Sequence, residues 1–362
     1  MSLARGLACA ALLLGACAGV PEPERPLAER VRVDGRYLED GGSVVLGYAG
    51  TGVAFRAEGE VDVSWVADGE RVRVEVQEDA GEWQLFDLPE GASTLSVNTD
   101  GTPSDIRILK AVEHWHGILR IVGVEGEVRP LPAPRGPRIL FIGDSITAGA
   151  GTDLRDLDPG DPESKAGDNA RLSFPQYVAE RMDADVHQVA FSGRGIIRDW
   201  RGRTHQADGE TNAPQFFERV LAETPGEWDH CRWVPDAVVV GLGTNDFNPG
   251  IPERDAFVDA MADFLSRVRE VSAPEAPVLL MVSPMFGEGS DKRAAHITYL
   301  KAVAERAGSG VGVVDAGYHP GHASTFNHPV ASEHAAMGDV LARELDALVA
   351  NSVRTLPDSC RG

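Results

Sequence analysis

At 362 residues the chain has room for two domains, each with its own core, and a hydrophobic content of 43% suits a folded protein. A formal net charge of −22 argues against nucleic acid as a partner, because phosphate binding needs clustered Lys and Arg. The charge instead serves solubility and repulsion between like molecules.

Residues 1–16 hold one Arg and then a short apolar run. The run is too short to span a bilayer and reads as a secretory signal. It ends in Leu14-Gly15-Ala16-Cys17, which resembles the lipobox of bacterial lipoproteins. The resemblance implies that Cys17 becomes the lipidated first residue of the mature chain; an ordinary signal peptide cut at a small residue is the alternative. Residues 17–27, with three prolines and alternating charge, suit a flexible tether. Acyl chains would then hold the protein at a membrane without a spanning helix. Ala18, and not Asp, follows the cysteine, which in Gram-negative lipoproteins implies the outer membrane. Cys9 leaves with the signal, so Cys231 and Cys360 remain in an oxidising compartment. They either form a disulfide that pins the tail, residues 353–362, or stay as a buried thiol and a frayed end.

From 28 to 132 the pattern is β. Segments such as Val61-Asp62-Val63-Ser64-Trp65 and Val72-Arg73-Val74-Glu75-Val76 alternate apolar with other residues. Asp-Gly pairs at 34–35, 40–41, 68–69 and 100–101 and Glu-Gly at 58–59 supply the turns. Nine short strands with turns every eight to twelve residues predict an antiparallel β-sandwich. His114 and His116 would share one face of a strand, but no third metal ligand stands at suitable spacing.

Pro130 to Pro137, with four prolines in eight residues, makes a stiff connector and a domain boundary. Over 138–352 apolar strands alternate with amphipathic helices. The strands are RILFIG (138–143), DVHQVAF (185–191), DAVVVGL (236–242), PVLLMVS (277–283) and VGVVD (311–315). Helices are expected near 174–182, 214–223, 254–271, 291–307 and 331–350, with a long loop over 146–172. Strands apolar on both faces belong to a parallel sheet, and the alternation predicts a three-layer α/β domain.

In such sheets ligands bind beyond the carboxyl ends of the strands. Ser145 stands past the first strand, Gly193 past the second, Asn245 past the third and His328 past the fifth. A serine hydroxyl needs a base to become a nucleophile, and imidazole titrates near neutrality. The tetrahedral intermediate of acyl transfer needs donors, which the Ser145 and Gly193 amides and the Asn245 side chain supply. Gly195 is the alternative to Gly193. Asp144 and Asp246 read as loop-ordering residues, and Trp200 as a sugar-stacking platform or a rim residue.

Gly143-Asp144-Ser145, Gly193, Gly243-Thr244-Asn245-Asp246 and His328-Pro329 resemble the four blocks of the SGNH (GDSL-type) hydrolases. With the upstream sandwich and the run Leu109-Lys110-Ala111-Val112-Glu113, the chain is similar to carbohydrate esterase family 2 over about 28–350. That resemblance implies a flavodoxin-like catalytic domain behind a jelly-roll domain. It implies removal of acetyl groups from plant-wall polysaccharide, with no metal or organic cofactor. One departure is Thr325, three residues before the histidine, where the family usually carries Asp. The resemblance therefore implies a Ser145–His328 pair with a main-chain carbonyl near Thr325 behind the imidazole; Asp315 is the rival acceptor. Two other readings stand beside it: a lipase, thioesterase or general short-chain esterase, and an inactive carbohydrate-binding surface lipoprotein.

Overall fold

The computed structural model describes residues 25–155, 167–204, 211–224, 226–321, 327–350 and 352–361. Cys17 and Thr325 lie outside them. The described chain divides into two compact units. One holds the residues up to Gly47 together with Thr51–Ala133; the other holds Tyr48–Gly50 and the residues from Pro134 onward. Within the second unit the Tyr48 hydroxyl donates to the Phe216 carbonyl at 2.7 Å.

The first unit opens with one helical turn, α1 (Leu27–Arg30). Nine strands follow: β1 (Arg32–Asp34), β2 (Leu38–Asp40), β3 (Ser43–Leu46), β4 (Gly52–Asp68), β5 (Arg73–Glu78), β6 (Gln84–Asp87), β7 (Gly91–Asn98), β8 (Ser104–Lys110) and β9 (Ile118–Pro130). All their pairings are antiparallel. The first half of β4 pairs with β8, its second half with β7, and β9 runs beside both. Register shifts between Glu58 and Asp62 and between Ser64 and Trp65 bend the strand and let one continuous sheet fold over its own core. Val53, Phe55, Ala57, Val61, Val63, Trp65 and Ala67 all enter that core, so the inward parity survives the bulge.

Two details depart from the sequence reading. Glu58-Gly59 does not end a strand: β4 is one strand of 17 residues. Gly59 takes φ +77°, and Thr99 satisfies both its N–H and its carbonyl, so a glycine that reads as a turn is a bulge stitched to β7. His114–His116 is a 3₁₀ turn and not a strand, so the two imidazoles share no strand face. His114 is buried, while Trp115 is 54% exposed. Lys110 is fully buried, and its ammonium donates to the carbonyls of Gly47 and Val112. Burial pulls its pKa down to about 7 against the opposing pull of Glu113.

The second unit runs β10 (Arg138–Gly143), α2 (Ser145–Ala148), α3 (Phe174–Met182), β11 (Asp185–Ala190), α4 (Ala213–Glu218), β12 (Ala237–Gly241) and α5 (Thr244–Phe247). It continues with α6 (Arg254–Val271), β13 (Val278–Met281), α7 (Asp291–Ala307), β14 (Val311–Val314) and α8 (Ala331–Val349). The five strands are parallel, in the order β11-β10-β12-β13-β14. Ile139, Phe141, Val239 and Leu279 pack under Phe174 and Val178 of α3 and Met337, Leu341 and Leu345 of α8. Leu140, Ile142, Val238, Val240 and Leu280, of the opposite parity, are equally buried, so both faces of the sheet are covered. Connections leave β10 and β12 in opposite directions. That reversal opens a crevice at their carboxyl ends.

Cys231 and Cys360 form a disulfide across a sequence separation of 129. Closing so long a loop restricts the unfolded chain and stabilises by about 4–5 kcal/mol at most. Thiol titration of the unfolded, unreduced protein should therefore find neither cysteine free, and Cys360→Ser should lower the denaturant midpoint. Two free thiols would contradict the pairing.

Candidate active site

Strand β10 ends at Gly143, and the chain turns at once into α2. Asp144 caps this short helix: its Oδ1 accepts the Ile146 N–H at 3.1 Å. Ser145 is thereby held at the sheet rim, 9% exposed. Its Oγ lies 2.8 Å from Nε2 of His328, 183 residues away. Glu333 fixes the entry to α8 just after His328. Its carboxylate accepts the Val330 N–H at 2.8 Å and the Gly321 N–H at 3.3 Å, which is the glutamate half of a capping box, since Val330 has no side-chain acceptor to return. Behind this segment His334 is fully buried, and its Nδ1 accepts the Phe174 N–H at 3.1 Å. Burial first, then the neighbouring His328 and His319, hold its pKa near 3, so it stays neutral.

Asn245 sits on α5, beyond β12. Its Nδ2 donates to Asp144 Oδ2 at 3.1 Å and to the Arg194 carbonyl at 2.9 Å. Both neighbours only accept, so the amide orientation is fixed and both its hydrogens are committed; an oxyanion has to take over one of these two bonds. Asp144 thus ties the serine turn to Asn245, a role beyond the local ordering read from the sequence.

Gly193 follows β11 with φ +75°. A Cβ there would stand 2.8 Å from Cδ1 of Trp200, and the Trp200 backbone N–H donates to the Gly193 carbonyl at 3.0 Å. Backbone conformation and the indole therefore both demand glycine. Trp200 is 48% exposed, with the Arg201 guanidinium 4.6 Å from its ring centroid. Gly195 has a different task. A Cβ there would lie 2.3 Å from Oδ2 of Asp246, so Gly195 makes room for a carboxylate.

Asp315, the rival acceptor for the imidazole, is taken up elsewhere. Arg293 donates to its two oxygens at 2.6 and 2.7 Å, and the Gly317 N–H donates to Oδ1 at 3.0 Å.

The arrangement sets a nucleophile against a base, with donors from three strand ends close by: the elements of acyl transfer. Residues 141–351 match the GDSL-like Lipase/Acylhydrolase family. The chain belongs to that family. As a GDSL-like acylhydrolase it is a carboxylic ester hydrolase. It is 30% identical over 336 residues to an acetylxylan esterase / glucomannan deacetylase of Cellvibrio japonicus, spanning 87% of this chain and 88% of that protein. The solved structure of a family two carbohydrate esterase from Cellvibrio japonicus superposes with a TM-score of 0.81 at 27% identity, over 89% of this chain and 96% of that one. A carbohydrate esterase family 2 enzyme from Corynascus thermopiles (Myceliophthora fergusii) gives 0.77 at 27% identity, over 88% and 99%. The two solved structures cover both the antiparallel sandwich and the parallel α/β unit.

A methyl group at Gly193 would push on Trp200 and strain the turn. Gly193→Ala should lower kcat for an aryl acetate by roughly 10²-fold, as measured displacements of reacting groups do. An unchanged kcat would exclude the Gly193 amide from the reaction.

Proposed function

We propose that this enzyme hydrolyses O-acetyl esters of plant-wall polysaccharide through a Ser145–His328 pair. The 2.8 Å contact between Ser145 Oγ and His328 Nε2 carries this reading. His328 takes the hydroxyl proton as Ser145 Oγ bonds to the acetyl carbonyl carbon. The carbonyl oxygen becomes an oxyanion facing the Ser145 N–H, the Gly193 N–H and the Asn245 amide. Collapse breaks the bond to the sugar oxygen, which receives the proton from His328. Water repeats the sequence on the acetyl-enzyme and releases acetate. The acceptor we infer behind the imidazole is the one the resemblance implies, a main-chain carbonyl near Thr325, which lies outside the described residues; the hold of Arg293 on Asp315 argues against the rival.

The substrate reading leans on the Cellvibrio japonicus relative, named for acetylxylan and glucomannan. Trp200, half exposed against Gly193, offers a flat apolar face on which a sugar ring can stack. Leu14-Gly15-Ala16-Cys17 supports a lipid anchor at Cys17 in the cell envelope. Among the described residues no helix is long and apolar enough to cross a membrane.

Acetate release from acetylated xylan and glucomannan tests the reading. Ser145→Ala and His328→Ala should each lose about 10⁴-fold or more. Asp315→Asn, folded, should keep close to the wild-type rate; a loss as deep as that of Ser145→Ala would make Asp315 the acceptor. Faster turnover of long-chain aryl esters than of acetates would favour a lipase instead.

A further inference from the structure

Gly193 and Asn245 come from different strand ends, yet both must meet one oxygen atom. Between the two loops lies a buried carboxylate that the proposed reaction does not use. Asp246 follows Asn245 on α5 and has no exposed surface. Its Oδ1 accepts the Ile197 N–H at 2.8 Å and the Arg198 N–H at 3.2 Å, and both oxygens lie within 3.1 Å of the Ile196 nitrogen. Three successive amides of the loop that begins at Gly193 thus converge on one side chain. Gly195 allows that approach by lacking a Cβ. The Arg198 guanidinium closes the clamp by donating to the Asp246 carbonyl at 2.7 Å and to the Gly250 carbonyl at 2.6 Å. Asn245, one residue earlier, holds the Arg194 carbonyl.

We propose that Asp246 is a positioning residue, whose carboxylate binds the 196–198 amides and so sets the distance between the Gly193 N–H and the Asn245 amide. This rests on the esterase reading above. It differs from the sequence expectation, in which Asp246 ordered the loop after Asn245; it orders the loop after Gly193.

The ionised form is the one that accepts three amides. Burial pushes the Asp246 pKa up to about 6, against the three N–H donors and the Arg198 charge, which pull it down. Arg198 is the charged group that faces it, and Asp144 lies across the Asn245 amide. A carboxyl group whose pKa is raised on folding does not weaken the fold as pH falls through 6. What goes is the acceptor, hence the geometry of the loop. In the wild type the acid limb of log kcat/KM should therefore include a proton on Asp246.

Asp246→Asn tests this through kcat, KM, the pH profile, and amide hydrogen exchange over 193–200. The expected result is a loss of kcat of roughly 10- to 100-fold with KM within about threefold, an acid limb shallower than the wild type's by the Asp246 proton, and faster exchange over that loop alone. Gly195→Ala, which places a methyl against the same carboxylate, should reproduce the kcat loss and the loop exchange if Asp246→Asn folds poorly. Wild-type kcat with an unchanged acid limb overturns the proposal. So does a loss that tracks only the folded fraction seen by circular dichroism in both variants. A wild type that releases no acetate would end the esterase reading, while loop exchange in the two variants would still decide the anchoring.

Discussion

One hydrogen bond spans the catalytic unit: Ser145 at the end of its first strand meets His328 at the entry to its last helix, 183 residues later. Local sequence cannot hold such a contact. It depends on the parallel sheet, in which the chain leaves β10 for one edge and returns past it to β12. The crevice at that reversal brings four separate strand ends to one rim. If strand order or register changed, the Ser145 hydroxyl and the His328 imidazole would no longer meet, and the proposed catalytic pair would be lost.

Around that contact two buried carboxylates and a half-buried one set the geometry. Asp144 caps the serine turn and holds Asn245; Asp246 gathers the loop after Gly193; Glu333 fixes the helix entry next to His328. Each accepts backbone amides that would otherwise be unsatisfied at the sheet rim. These contacts set the serine turn and the loop after Gly193, while Asn245 would exchange one of its two hydrogen bonds to meet an oxyanion. Two buried histidines stay out of the chemistry. Burial holds His334 near 3 and His296 near 4, leaving both neutral in the working range.

Much of this was legible in the sequence, and the reasons are physical. Helices at 254–271 and 291–307 and the strand at 138–143 fall where apolar periodicity puts them, because a sheet buried on both faces enforces the pattern. Four-residue helices α2 and α5 carry too little periodicity to be seen, although they present Ser145 and Asn245. The bulge in β4 was misread because glycine marks both turns and bulges. The bond between Asp144 and Asn245 joins residues 101 apart, and the Arg293–Asp315 pair joins residues 22 apart, with no local signal for either. Gly193 was legible as a glycine but not as the partner of Trp200, since only the folded loop shows the indole where a side chain would go.

The most direct test is a crystal structure of the enzyme after reaction with a fluorophosphonate that leaves a tetrahedral adduct. The account predicts phosphorus on Ser145 Oγ and one phosphoryl oxygen within about 3 Å of the Ser145 N–H, the Gly193 N–H and Asn245 Nδ2, with His328 Nε2 facing the leaving position. An adduct on another residue, or a phosphoryl oxygen turned away from Gly193 and Asn245, would contradict it.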